Sequence, residues 1–415
     1  MQPSHSSILS NARLSDGDVV DLVVRDGVVE SVTAPGILTD PTPIDLDGRL
    51  VLPAPAEPHA HLDKARLGGR FPYSGGDLAT SIDQIRDAYS VTGSADILMR
   101  ARQSAREALA HGCTAIRTHA DCGDGIGVQA VRALLVLRAE FDGLIDLTVT
   151  ALPNPQVTGP AGRVNRDALE ASIALGVDAV GGCPALDDDP SAAIDLYLRI
   201  ALEAGLGLDL HVDESIDPAA NSLRLLALRV LDTGFPFRVN ASHCVSLSTQ
   251  TAADRDSTIE LVSEAGIHII ACPQTNLLLQ GRGDTPGPRG ITPIALLQRH
   301  GVNVAAGGDN SRDPFNPLGR LDPLETASLL VAAAHLAPLD AYAAISSGAR
   351  RAMGLPACGP AVGLRADLLA VPSTDVAELF ATGTQDRIVI RGGRIVARSS
   401  IERWTAAGAS SSTAT

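Results

Sequence analysis

Three histidines and one aspartate carry the chemistry that this sequence can be argued to perform. His59 and His61 stand two residues apart, His211 opens the segment HVDES (211–215), and Asp309 lies near the end of VNVAAGGDN (302–310). Three neutral imidazoles and one carboxylate are a donor set that suits zinc or ferrous iron. Glu214, three residues past His211, can approach a metal-activated water without being a ligand, take its proton and pass it to a substrate. His243 in ASHC adds another imidazole, suited to hydrogen-bond that water or to polarise the substrate. His119 in RTHAD reads two ways, at the rim of the site or as interior packing. His5, His111, His268, His300 and His335 read as structural or surface residues.

These residues converge only if the elements carrying them do. Apolar, strand-like runs occur at 50–61, 113–121, 146–153, 177–183, 207–215, 238–244, 268–273 and 302–310. Amphipathic stretches separate most of them; those at 97–112, 192–205 and 223–234 each end on a glycine, as helix C-termini do. Strands alternating with helices in this way predict an α/β fold, a (β/α)8 TIM barrel over 51–359. In such a barrel the strand ends open onto one face, where His59, His61, His211, His243 and Asp309 would meet. Residues i and i+2 of a strand share a side, so both members of the His59–His61 pair can reach one ion. No Gly-rich GxGxxG turn follows an early strand, which argues against a doubly wound sheet.

Both chain ends are β-rich. VVDLVVRDGVVESVTA turns at Asp26-Gly27, and DRIVIRGGRIVARS turns at Gly392-Gly393. Neither end can bury a core alone, so residues 1–50 and 360–405 are expected to pair as one small β-sandwich. The tail at 406–415 is expected to be disordered.

Composition removes several function classes. A net charge of −15 argues against a nucleic-acid partner. No apolar stretch reaches spanning length without a charge or a Gly/Pro break, so no membrane association is expected. The six cysteines show no CxxC spacing, and the N-terminus lacks a signal-peptide pattern, which together lead us to expect a cytoplasmic protein.

The segments EPHAHLDKA (57–65), RTHAD (117–121), HVDES, ASHC (241–244), LQGRGDTPGPRGIT (279–292) and GGDNSRDPFNPLG (307–319) resemble the cytosine deaminase group of the amidohydrolase superfamily. The resemblance implies metal ligands His59, His61, His211 and Asp309, with Glu214 as proton shuttle and His243 orienting the hydrolytic water. It implies hydrolytic deamination of an aminated N-heterocycle, such as a pyrimidine, triazine or pterin-type ring, with release of ammonia. Binuclear relatives bridge two ions through a lysine at the end of strand four. The one lysine here is Lys64, so one divalent metal ion per chain, zinc or iron, is expected. Barrels of this family are often homo-oligomers.

The departures fall on residues that the resemblance places against the substrate. Asn154 stands where a glutamine is usual, Asn310 where a second aspartate is usual, and Phe315 where a tryptophan is common; Gln280 belongs to the same set. An asparagine donates as well as accepts, so Asn310 is expected to alter the donor pattern of the pocket. Lys64 either binds an acidic or carbonyl-rich ring or pairs with a carboxylate such as Asp63. Two other readings differ in kind: cleavage of an N-alkylamino group or cyclic amide on the same scaffold, and a non-catalytic, metal-stabilised binding barrel.

Overall fold

The hairpins at the two chain ends form where their turn residues place them. In the computed structural model, which describes residues 6–37, 43–71, 76–282, 287–402 and 404, the N-terminal segment supplies β1 (Ser6–Arg13), β2 (Val19–Arg25), β3 (Val28–Thr33), β4 (Ile44–Asp45) and β5 (Leu50–Pro53). Asp26 and Gly27 turn β2 into β3 with φ of 50° and 82°, the positive pair that a two-residue hairpin requires. The expected tail, 406–415, lies outside the described residues.

The barrel strands are β6 (Ala56–Ala60), β7 (Ala115–Cys122), β8 (Asp146–Pro153), β9 (Ala179–Gly182), β10 (Gly207–Val212), β11 (Val239–His243), β12 (His268–Ala271) and β13 (Val304–Ala306). They neighbour one another in chain order and run parallel. Ala60 bridges Asp309 in parallel, and the Asp309 N–H donates to the His59 carbonyl at 3.0 Å, which joins the last strand to the first. The fold is therefore a (β/α)8 barrel. Its helices end as their sequences direct: Gly205 and Gly234, with φ of 68° and 60°, terminate Pro190–Ala204 and Ser222–Thr233.

The run 50–61, expected as one strand, is two strands in two sheets. Pro53 and Pro55 lack the N–H groups a continuous ladder needs, and Ala54 between them donates to Asp367 instead. Strand β5 pairs with β14 (Leu368–Val371), which continues to β15 (Arg387–Arg391) and β16 (Arg394–Ser399). The two termini thus build one eight-stranded mixed sheet, in the order β16-β15-β14-β5-β1-β2-β3 with β4 beside β1.

Alternation along these strands divides their side chains between two cores. Val51, Leu368, Ala370, Ile388 and Ile390 join a core within the terminal sheet, whereas Leu50, Leu52, Leu369, Val371 and Val389 pack into the barrel core. Ion pairs, one buried and one part-buried, cross the same junction. Arg387 holds Asp322 through two bonds of 2.8 Å, and Arg391 reaches Asp146 at 2.6 Å. Among the described residues, no helix is long and apolar enough to cross a membrane.

Candidate active site

The C-terminal ends of β6, β10 and β13 bring three imidazoles and a carboxylate together. His211 Nε2 lies 3.1 Å from His59 Nε2 and 3.2 Å from His61 Nε2. Asp309 Oδ1 lies 3.6 Å from the first and 3.3 Å from the second of those β6 nitrogens. Bonds of ~2.0–2.1 Å to a tetrahedral ion would set donor atoms roughly 3.3–3.4 Å apart. The local chemistry agrees with that spacing. Asp309 Oδ1 is buried without a hydrogen-bond partner among the described residues. Burial, followed by neighbouring imidazoles, pushes His59 well below the ordinary histidine range, and burial with the Lys64 charge does the same to His61. His211 is lowered in the same way, by burial and then His119. Neutral rings and a carboxylate oxygen that lacks a donor are a set that can hold a divalent cation.

Each β6 ring is oriented from behind. His59 Nδ1 lies 2.8 Å from Ser242 Oγ, which in turn donates to Asp209 at 3.3 Å. His61 Nδ1 lies 3.1 Å from Lys64 Nζ, whose main contact is Asp121 Oδ1 at 2.6 Å. The Ser242 hydroxyl can accept the His59 Nδ1 proton and leave Nε2 to face an ion, whereas the Lys64 ammonium can only donate and packs its charge against the His61 ring. Lys64 is thus a buried ion-pair partner of Asp121, with Asp63 further off at 3.7 Å, and it also lines the cavity.

Glu57, which the sequence reading did not single out, ties the segments bearing His59 and Asp309 together. Its Oε1 accepts the His59 N–H at 3.1 Å and its Oε2 the Gly308 N–H at 2.8 Å. A side chain at 307 could not coexist with it, because a Cβ there would lie 2.3 Å from Oε1.

Glu214 and His243 stand beside the cluster, joined by Asn276 of helix Pro273–Leu279. Asn276 Nδ2 donates to Glu214 Oε1 at 3.0 Å and faces His243 Nδ1 at 3.1 Å. With Nδ1 accepting, the neutral His243 ring carries its proton on Nε2. Burial raises Glu214 to about 8, against the Asn276 bond, which lowers it. His243 and Asp309 both adopt left-handed backbone, with φ of 71° and 64°, a local cost that recurs at functional sites. Asp213 braces the Glu214 loop by accepting the Ser222 and Leu223 N–H groups at 2.9 and 3.0 Å.

A cavity opens above these groups, lined by His61, Lys64, Asn154, Glu214, Asn310 and Phe315, among others. Helix Leu78–Tyr89 adds Leu78, Ile82, Ile85 and Tyr89 to its wall. The Tyr89 hydroxyl donates to Asp121 at 2.7 Å. Gln280 is not among the lining residues; its Oε1 accepts the Gly290 N–H at 2.8 Å and fastens the loop it begins. His119 is fully buried behind the cluster, 4.2 Å from the His59 ring and 3.7 Å from Asp209, so of its two readings the interior one describes its position. Asn310 Nδ2 donates to Asp313 Oδ2 at 2.8 Å.

The amidohydrolase family model matches residues 86–397. The chain is 34% identical over 393 residues to a pterin deaminase of Rhizobium rhizogenes, covering 91% of this chain and 88% of the relative. It is 26% identical to an N-isopropylammelide isopropyl amidohydrolase of a Pseudomonas species, covering 97% of this chain and 99% of the relative. A structure of 5-methylcytosine deaminase from Klebsiella pneumoniae, liganded with 5-fluorocytosine, superposes with a TM-score of 0.87 at 28% identity; 96% of this chain and 99% of that one are covered.

Proposed function

Since the chain belongs to the amidohydrolase family, we propose that it removes the amino group of an aminated N-heterocycle by hydrolysis, with a pterin-type ring as first candidate. The observation that carries this reading is the placement of Glu214 and His243 beside the His59, His61, His211 and Asp309 cluster at the floor of one cavity. The balance is C–NH2 plus water giving C=O plus ammonia.

The cluster would hold one divalent ion, zinc or iron, with His59, His61, His211 and Asp309 as its ligands. When bound, such an ion lowers the pKa of water and supplies a nucleophile at neutral pH. Glu214 takes the proton of that water and delivers it to a ring nitrogen. His243, its Nδ1 engaged by Asn276, offers its Nε2–H as a donor to the attacking water or the reacting carbon's substituent. Lys64 and Asp121 keep His61 in orientation. Asn154, Asn310 and Phe315 bound the ring. A lysine-bridged pair of ions is excluded because Lys64 is the one lysine, and β9 ends at Gly182, followed by Cys183. The six unpaired cysteines suit a reducing compartment such as the cytoplasm.

The test is ammonia release by metal-loaded enzyme from pterin, cytosine, 5-methylcytosine and aminotriazines. No release from any of them would refute the reading. The N-isopropylammelide relative favours a second reading, loss of an alkylamine; product mass separates the two.

A further inference from the structure

The amide of Asn310 has its orientation set from behind the cavity wall. Asn310 lines the cavity and is 4% exposed. Its Nδ2 donates to Asp313 Oδ2, and the other oxygen of Asp313 accepts the Phe315 and Asn316 N–H groups at 2.9 and 3.0 Å. Burial raises this carboxyl to about 6, so at pH 8 it is ionised and can only accept. An acceptor-only partner faces the NH2 end of an amide, and planarity then turns Oδ1 the other way. Among the described residues nothing donates to that Oδ1. Asn154 is held similarly: its Nδ2 donates to the Asp124 carbonyl at 2.8 Å, and its Oδ1 lies 3.3 Å from the Tyr89 hydroxyl.

We propose that Asp313 is a positioning residue that fixes Asn310 as a hydrogen-bond acceptor, so that the site selects rings presenting an N–H edge to it. The inference rests on the reading of the protein as a deaminase of N-heterocycles. It narrows that class to lactam-type rings, in which a ring N–H stands beside the amino-bearing carbon. An aromatic ring whose corresponding nitrogen carries only a lone pair would meet the Asn310 oxygen acceptor to acceptor.

One oxygen-to-NH2 exchange behind the wall inverts the arrangement. In D313N the new amide keeps its oxygen on the Phe315 and Asn316 N–H groups and turns its NH2 to Asn310. Asn310 must then rotate and present NH2 to the cavity. The double variant N310D/D313N restores an acceptor at 310 and a donor behind it. With pterin as the probe at pH 8, D313N is expected to lose about tenfold or more in kcat/KM, mainly through KM. N310D/D313N is expected to recover to within about threefold of wild type, a rescue that a merely structural role of Asp313 would not produce. Thermal midpoints and metal content of each variant separate these effects from misfolding. D313N within twofold of wild type, or a double variant no better than D313N, would overturn the proposal. If wild type neither binds nor deaminates pterin, the functional reading fails separately, and a neutron structure of the wild-type protein decides the inference. Deuterons of Asn310 Nδ2 directed at Asp313 support it; an NH2 turned into the cavity overturns it.

Discussion

Lys64 lies with its Nζ 3.1 Å from Nδ1 of His61 while bound to Asp121 at 2.6 Å. The one lysine of the chain is therefore spent inside the site wall, between a carboxylate of β7 and the imidazole just after β6. Lys64→Met is expected to strand the buried Asp121 and Asp63 carboxylates and to destabilise the fold by ~3–5 kcal/mol, the usual result of removing one partner of a buried pair. Urea unfolding measures this. Adding Asp121→Asn should return part of the loss, because the two changes act on one interaction; strictly additive losses would argue that the pair is not coupled.

Glu214→Gln keeps an oxygen for Asn276 and removes the group able to carry a proton. Turnover is expected to fall by about 10²–10⁴-fold, with metal content near that of wild type. Retained turnover would remove Glu214 from the mechanism.

The residues that meet at the barrel mouth were legible because each carries a local signal. His59, His61, His211, His243 and Asp309 are chemically distinctive types at the ends of apolar runs, and a barrel converts those positions into proximity. Partners from other strands carry no such signal. Nothing in QTNLLL marks Asn276 as the link between Glu214 and His243, since that contact depends on how helix Pro273–Leu279 leaves β12. Lys64 admitted two readings until β7 placed Asp121 beside it. Gln280 was expected against the ring, but its side-chain Oε1 is taken up by the Gly290 N–H. The composition of 50–61 suggested one strand, and Pro53 and Pro55 divide it between two sheets.

Removing the metal should make the protein sensitive to acid. His59, His61 and His211 are held well below the ordinary range, chiefly by burial. Unfolded imidazoles titrate near ~6.5, so below that pH the unfolded chain binds more protons than the folded one. Stability of the chelated protein then falls as pH drops, by about 1.4 kcal/mol per pH unit for each histidine fully engaged. Thermal midpoints of chelator-treated protein between pH 7.5 and 5.5 should decline steeply, and restoring zinc should raise them. Glu214 and Asp309, raised chiefly by burial to about 8 and about 7, act in the opposite sense over this window, so a midpoint that rises as pH falls would mean that the carboxyls outweigh the rings.

Glu57 offers a test of how the ligand loops are held. Its two oxygens accept the N–H groups of His59, a proposed ligand, and of Gly308, the neighbour of Asp309. Glu57→Gln preserves size but sets an NH2 against one of those donors. The loop bearing that donor must shift by enough to relieve a donor–donor contact in a site where Gly307 leaves no slack. Because the shift moves a ligand rather than the substrate, we expect zinc affinity to weaken by about 10–100-fold. At saturating zinc, KM should stay near wild type. Competition with a chromophoric chelator measures the first quantity and steady-state kinetics the second. Unchanged zinc affinity with a raised KM would place Glu57 on the substrate side of the site instead.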